Sequence, residues 1–240
     1  MTFPTISNAA LLQRRNSYAY PAITIDGVAQ AWVERNFPSM HALDTSLNQR
    51  LNSSNDDEVI LGYLGALFWG HASSADGRDI RPRAHGKVRL AYAGQDRTIR
   101  GQTQRMRGVL DVGQSVVVGH VRTAIHHLRN DHYADAISEL NKLPQLQVAF
   151  SSKLCAFIAP DKCGVIDSQI AANFPEMGFH LRDGYVVDNT QNRTKYGDYC
   201  LWLQTRSAAL NGDPCHAHWT DRDGTQRAWR AVDVERGLYA

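Results

Sequence analysis

Apolar residues recur along much of the chain at the spacing of one face of an α-helix. Within residues 117–128, 133–140, 150–158 and 196–207 they fall three or four positions apart, with polar residues between them. Each window therefore predicts an amphipathic helix with one apolar stripe. A more continuously apolar stretch over about 57–70 predicts a helix that is buried on most sides and central to the fold.

Local signals suggest where these helices begin and end. Asn130 and Asp131 predict the N-cap of a helix over 132–142. Segments 85–103 and 178–190 alternate apolar and polar residues, which predicts short strands or extended loops. Proline separates helices because it cannot continue them, and the prolines between the helical windows are Pro160, Pro175 and Pro214.

The composition is that of a folded globular protein. The chain has 240 residues, 43% hydrophobic and 21% charged, so it has enough apolar material to offset the chain entropy lost on folding. The longest nearly apolar run, Val59–Trp69, is too short to cross a bilayer, and the N-terminus lacks a secretory signal pattern. We expect one mainly α-helical domain over residues 1–240, with an irregular basic insertion at about 72–110. We also expect a cytoplasmic monomer with no membrane partner.

The net charge of +2 hides an uneven distribution. Nine basic residues lie between positions 78 and 107, where only Asp79 and Asp96 oppose them. Such a local excess predicts a polyanionic partner, and a solvated loop with scattered arginines is the alternative. The residues of this segment that we expect to contact the phosphates of a nucleic acid are Arg81, Arg83, Lys87, Arg105 and Arg107.

The most informative segment is 143–172, with the sequence LPQLQVAFSSKLCAFIAPDKCGVIDSQIAA. It predicts two short helices joined by a turn, with Lys153 just inside one helix and Asp167 after a small apolar run. The segment resembles the helix-hairpin-helix DNA glycosylases, in particular small bacterial proteins with an 8-oxoguanine-glycosylase fold. Leu143-Pro144 matches the start of the hairpin, Lys153 the catalytic lysine, and Val165–Ile170 the segment that carries the catalytic aspartate.

The resemblance extends to the C-terminus and implies a base pocket. The ending WRAVDVERGLYA is similar to the last helix of the family, so Glu235 and Tyr239 take the positions that face an extruded base. A carboxylate at Glu235 only accepts hydrogen bonds and would select a base edge that donates N–H. Trp69, at the end of the apolar helix, is suited to a pocket wall. The implied fold has two helical subdomains around a cleft.

Two features depart from the family pattern. Gln145 and Gln147 stand where hairpin glycines normally let backbone N–H groups approach a DNA phosphate. We keep both glutamines, together with Ser152 near the helix start, as expected DNA contacts. Only 14 positions separate Lys153 from Asp167, so the aspartate must reach the same pocket over a shorter excursion.

Residue chemistry also supports a catalytic pair. Lys153 lies at the edge of an apolar stripe, where partial desolvation disfavours the charged amine, and a neutral amine can attack a sugar carbon and form a Schiff base. A carboxylate at Asp167 can stabilise an oxocarbenium-like transition state or accept the proton of the nucleophile. The alternatives are a lysine that extends to solvent, an N-cap role for Asp167, and an exposed Glu235.

These observations predict a DNA glycosylase that acts on double-stranded DNA with an extruded base, with or without a lyase step by Lys153. Two settings fit: repair of an oxidised purine, or defence against phage DNA that carries modified bases. No common zinc spacing occurs, so we expect no metal and no cofactor. The alternatives are a catalytically inactive helical DNA-binding protein, and an unrelated helical protein that binds RNA or an acidic protein.

Overall fold

The computed structural model describes residues 2–72, 80–99 and 101–239, and the fold is mainly helical, as the sequence predicts. The helices are α1 (Asn8–Ser17), α2 (Met40–Leu51), α3 (Asp56–His71), α4 (Arg81–Ala93), α5 (Val109–Val112), α6 (Gln114–Arg129), α7 (Tyr133–Leu140), α8 (Val148–Ile158), α9 (Ser168–Asn173), α10 (Thr190–Asn211) and α11 (Ala231–Tyr239), with a 3-10 turn over Pro175–Met177.

Short antiparallel hairpins lie between the helices. Each pairs two consecutive strands, and no strand of one pairs with a strand of another within the described residues. They are β1 (Ile23–Asp26) with β2 (Val33–Asn36), β3 (Gln95–Ile99) with β4 (Gln102–Met106), β5 (Leu181–Arg182) with β6 (Tyr185–Val186), and β7 (His218–Thr220) with β8 (Gln226–Ala228).

Helix α3 is the centre of the fold, as its apolar sequence predicts. The Asn55 side chain accepts hydrogen bonds from the backbone N–H groups of Asp57 and Glu58 and so caps the helix. From Val59 to Trp69 the helix is buried throughout. Helices α2, α4, α6 and α8 all pack against it, so α3 supports α4 and α8, two of the helices that line the cleft described below.

The four amphipathic windows all lie within helices, namely α6, α7, α8 and α10. The predicted cap of α7 is wrong. The N-cap is His132, and it makes no side-chain cap hydrogen bond. Asp131 instead takes a left-handed backbone conformation with φ 61°, and its carboxylate accepts hydrogen bonds from Lys162 and Tyr133. The Asp131 carboxylate therefore binds two side chains and does not cap the helix.

Over residues 80–99 and 101–110 the basic insertion forms regular elements, which corrects the sequence prediction for this part of it. Residues 81–93 form helix α4, and the β3–β4 hairpin follows it. Ala84, Val88 and Ala91 are buried at helical spacing and attach α4 to α3. Arg78 lies outside the described residues.

Nearly all buried apolar side chains belong to one contiguous core. Helix α1 packs against α11, and α11 packs against α10, so the two ends of the chain are joined in the fold. Among the described residues, no helix combines the length and the apolar character needed to span a bilayer.

Candidate active site

Helix α8 places Lys153 in an almost fully buried position. Gln147 is the N-cap, and the helix is buried along most of its length, from Ser151 to Ile158. Lys153 is 8% exposed. Its Nζ atom lies 3.5 Å from Oδ2 of Asp167 and 5.3 Å from the centre of the Phe150 ring. The predicted pair is therefore brought together, and the alternative of a solvent-directed lysine is wrong.

Asp167 has two roles, because its two carboxylate oxygens face different partners. Oδ1 accepts hydrogen bonds from the backbone N–H groups of Gln169 and Ile170 and caps helix α9. Oδ2 faces the Lys153 amine. The capping hydrogen bonds fix the orientation of the carboxylate, so the N-cap alternative and the catalytic prediction describe the same geometry.

Ser152 holds the segment before Asp167 against helix α8. Its hydroxyl accepts a hydrogen bond from the Ile166 N–H at 3.0 Å, and its single proton has two carbonyl acceptors in reach, Ala149 at 2.9 Å and Ile166 at 3.2 Å. Ser152 is fully buried, so the expectation that it contacts a DNA phosphate is corrected. It acts instead on the position of Asp167, one residue further along the chain.

Two cavities meet at the Lys153–Asp167 pair. A cleft of about 570 Å³ lies on one side, and a pocket of about 120 Å³ lies on the other. Gly70, Lys153 and Asp167 line both of them. A substrate that extends from the cleft into the pocket would therefore pass directly over the amine and the carboxylate.

The smaller cavity, which we call the aromatic pocket, is lined by four aromatic side chains and Glu235. Two of the aromatic residues, Trp69 and Tyr239, were predicted. Tyr18 and Tyr20 were missed. Tyr18 and Tyr20 lie two positions apart in the extended segment after α1, so they point to the same side of the chain, which is only a weak sign of a pocket wall. The family resemblance did not extend to that part of the chain. The Tyr20 ring lies 4.9 Å from Trp69, and the Tyr18 ring lies 6.0 Å from Tyr239.

Glu235 is 3% exposed, so the alternative that places it on the surface is wrong. Burial, with the Asp167 charge nearby, raises the pKa of Glu235 to about 8, against the opposing effects of Arg236 and Lys153. At neutral pH the side chain is therefore mainly the uncharged acid, which donates as well as accepts. This corrects the prediction of a group that only accepts hydrogen bonds.

A buried ion network fixes helix α11, which carries Glu235 and Tyr239. Asp233 pairs with Arg15 of α1 at 2.9 Å and with Arg230 at 2.7 Å. Asp44 of α2 pairs with Arg230 at 2.7 Å and with Arg236 at 2.6 Å. The arginines hold the pKa of both aspartates below the usual range despite their burial.

The hairpin between α7 and α8 lines the cleft through Gln145 and Gln147. Gln145 adopts the left-handed conformation, with φ 64°, which glycine takes without steric cost. Gln145 therefore has the backbone conformation that favours glycine, although it is not a glycine. The Tyr63 hydroxyl donates a hydrogen bond to the Pro144 carbonyl and anchors the hairpin to α3.

The predicted basic contacts do not all reach the cleft. Lys87 lines it. Burial, followed by the charges of Lys87, Arg83 and Lys153, lowers the pKa of the cleft residue His71 to about 3, so that His71 is uncharged at neutral pH. His71 was not predicted as a site residue, and its ring lies 4.4 Å from that of Phe150.

Of the other four predicted basic residues, Arg83 is exposed and does not line the cleft, and the remaining three are bound to neighbouring groups. Arg81 pairs with Glu34 at 3.2 Å. Arg105 pairs with Asp111 at 3.0 Å, and Arg107 donates to the Asp111 backbone carbonyl. None of the three is among the described residues that line the cleft.

Two histidines and a carboxylate converge near the turn between α6 and α7. Potential ligand atoms of His127, His132 and Asp135 lie within 4.8 Å of one another, a donor set that first-row transition metals accept. These three residues do not belong to the lining of the cleft or of the aromatic pocket.

Comparison with protein-family models, curated proteins and solved structures finds no match for the chain. The resemblance to the helix-hairpin-helix glycosylases therefore rests on the residues themselves. Those that the structure brings together around the two cavities are Lys153, Asp167, Glu235, Tyr239, Trp69, Gln145 and Gln147.

Proposed function

We propose that this protein is a DNA glycosylase that extrudes a damaged or modified base and cleaves its N-glycosidic bond to leave an abasic site. One observation carries the proposal. A buried amine and a carboxylate face each other at 3.5 Å, where a cleft of about 570 Å³ adjoins the smaller aromatic pocket. Base excision needs these elements, because the flipped base must be enclosed while its sugar meets a charged group.

The aromatic pocket would hold the base. Tyr18, Tyr20, Trp69 and Tyr239 offer ring faces and edges on which a base can stack. The C1′ atom of the nucleotide would then lie near Asp167. As the C1′–N bond breaks, the base leaves with the bonding electron pair, and the carboxylate stabilises the positive charge that develops on the sugar.

Two nucleophiles are consistent with the site. In one route water adds to C1′ and gives its proton to Asp167, which leaves a simple abasic site. In the other, the Lys153 amine bonds to C1′, loses a proton, and opens the sugar to a Schiff base, from which β-elimination nicks the strand. Borohydride reduction traps only the second intermediate, so a trapping assay separates the routes.

The cleft would hold the DNA backbone on either side of the extruded nucleotide. Lys87 supplies positive charge at its wall. Gln145 and Gln147 line it from a hairpin whose left-handed turn presents backbone groups, as glycine hairpins do when they contact phosphates. The altered hairpin and the buried acid Glu235 favour a modified base over ordinary 8-oxoguanine, in repair or in defence against phage DNA.

A panel of duplexes carrying oxidised, deaminated, alkylated and phage-type modified bases tests the proposal, with the released base identified by mass spectrometry. We expect the wild-type protein to release at least one base and Asp167→Asn to release it far more slowly. If the wild-type protein binds DNA but releases no base from any duplex, the catalytically inactive alternative replaces the glycosylase.

A further inference from the structure

Glu235 is a buried acid without a cation of its own. The cations that act on its pKa are Arg236 and Lys153. Arg236 directs its guanidinium to Asp44, with Nη2 at 2.6 Å and Nη1 at 2.8 Å. Lys153 directs its amine to Asp167. The Val165 backbone N–H donates a hydrogen bond to Glu235 and favours the charged form, but the cost of burying a carboxylate outweighs it and stabilises the uncharged acid.

The other polar groups around Glu235 do not supply positive charge. Apart from the cations Lys153 and Arg236, these groups are one aspartate and four tyrosines. They come from the segment after α1, the start of α9, α10 and α11, and they are Tyr18, Tyr20, Asp167, Tyr199 and Tyr239. Asp167 further raises the pKa of Glu235, which reaches about 8. Burial raises the pKa of Tyr239 to about 12 and those of Tyr18 and Tyr199 still further above neutral pH.

Backbone packing fixes the direction of the Glu235 side chain. A Cβ atom added at Gly164 would lie 2.7 Å from Cβ of Glu235 and 2.5 Å from Cδ1 of Leu203. The Cβ and Cγ atoms of Glu235 therefore pack directly against the backbone at Gly164, in the segment that leads to Asp167. Glu235 lines the aromatic pocket together with Lys153 and Asp167.

We infer that Glu235 is a general acid that gives its proton to the departing base. This rests on the proposed glycosylase function and adds a second catalytic carboxyl group to it. The two carboxyl groups differ in environment. Asp167 faces an amine and accepts two backbone N–H groups, whereas Glu235 is buried among aromatic rings. Such pairs divide the work of glycoside cleavage, with one acid and one anion.

Proton transfer from Glu235 accompanies departure of the base. The Glu235 O–H donates its proton to a ring nitrogen or carbonyl oxygen of the base while the C1′–N bond breaks and its electron pair moves to the base. The base leaves as a neutral molecule, and Glu235 becomes a carboxylate that solvent reprotonates after release. The nucleophile then bonds to C1′ and delivers its own proton to Asp167. The substrate class is therefore a base that leaves poorly as an anion and has an acceptor atom within the pocket.

The test compares Glu235→Gln with the wild-type protein in single-turnover base release across pH 6–9. Glutamine keeps the shape, one donor and one acceptor, but it cannot give up a proton. We expect release to slow by about 100-fold or more while DNA affinity is unchanged. We also expect the wild-type rate to decrease above pH 8, where Glu235 ionises, and the rate of the variant not to decrease there. Glu176→Gln makes the same substitution at an exposed position on the 3-10 turn, and we expect it to leave the rate and its pH dependence unchanged.

A second readout does not need activity. Because folding raises the pKa of Glu235 from about 4.5 to about 8, ionisation of the unfolded chain lowers stability as pH rises between those values. Glu235→Gln should therefore gain stability relative to the wild-type protein across that pH interval, in urea denaturation.

A Glu235→Gln variant that releases base at the wild-type rate, with the same decrease at high pH, overturns the general-acid assignment and leaves the glycosylase proposal intact. Failure of the wild-type protein to release any base contradicts the glycosylase and the general-acid assignment that rests on it. The stability readout then reports separately on the buried, protonated state of Glu235.

Discussion

At the scale of single residues, one glycine determines how closely α3 approaches the Lys153 side chain. A Cβ atom at Gly70 would lie 2.5 Å from Cε1 of Phe150 and 3.0 Å from Cδ of Lys153. Both distances are shorter than the 3.5–4.0 Å at which carbon atoms attract. The stem of Lys153 therefore occupies space that exists because residue 70 has no side chain.

Gly70→Ala should displace the Lys153 amine from Asp167. We expect base release to fall by at least tenfold, since displacements of about 1 Å reduce catalysis strongly. Gly86→Ala is the matched control, because a Cβ atom there meets nothing within 4 Å. It should leave activity unchanged and stabilise α4 by about 0.5–1 kcal/mol. Wild-type single-turnover rates in Gly70→Ala would mean that the position of Lys153 does not depend on this contact.

At the scale of elements, the sequence predicted the central helix and the four amphipathic helices, but α2 and α4 were missed. In α2 the signal was present, since Leu43, Leu47 and Leu51 lie at helical spacing, whereas in α4 it was weak. Helix α4 attaches through Ala84, Val88 and Ala91. Alanine contributes little to a hydrophobic pattern, and the alternation within 85–93 favoured a strand instead. The same helix carries Lys87 to the cleft wall, so this missed element is also the one that orients the basic segment.

Charge on one face of α4 should govern DNA affinity. Lys87 lines the cleft, and Arg89 is exposed two positions further on, about 200° around the helix. We expect Lys87→Gln to reduce the slope of log affinity against log salt by about one. Arg89→Gln, which removes the same charge from the other side, should change it much less. Equal slopes for the two variants, in binding titrations at several salt concentrations, would place the DNA elsewhere.

At the scale of the whole molecule, helix α11 is fixed by contacts that no local pattern contains. Arg15, Asp44 and Asp233 come from three helices and meet in the interior. The sequence could predict Lys153 and Asp167, because a short segment contains both. It could not predict that Glu235 is buried, since that depends on α1 and α10 packing against α11 and on Asp44 of α2 binding Arg236.

Asp233→Asn should destabilise the protein by about 3–5 kcal/mol, because it leaves buried arginines without their carboxylate. Pairing lowers the pKa of Asp233 and Asp44 in the folded state. Their contribution to stability is therefore present above about pH 4, the ordinary pKa of aspartate, and is lost as pH falls below it. Urea denaturation from pH 3 to 7 should show this loss in the wild-type protein and a weaker one in the variant.

The exposed residue Asp198 of α10 provides the control for that experiment. Asp198→Asn removes the same charge from the surface and should change the unfolding free energy by less than about 0.5 kcal/mol. If Asp233→Asn were no more destabilising than Asp198→Asn, the buried network would not be what holds α11 in place.

The most direct test of the account is single-turnover release of the excised base by the wild-type protein, Lys153→Gln and Asp167→Asn, with borohydride trapping in parallel. We predict that Asp167→Asn binds DNA almost normally but releases base orders of magnitude more slowly, because charge stabilisation acts chiefly in the transition state. Lys153→Gln should abolish any trapped adduct. Full activity in both variants would contradict the claim that this buried pair carries the chemistry.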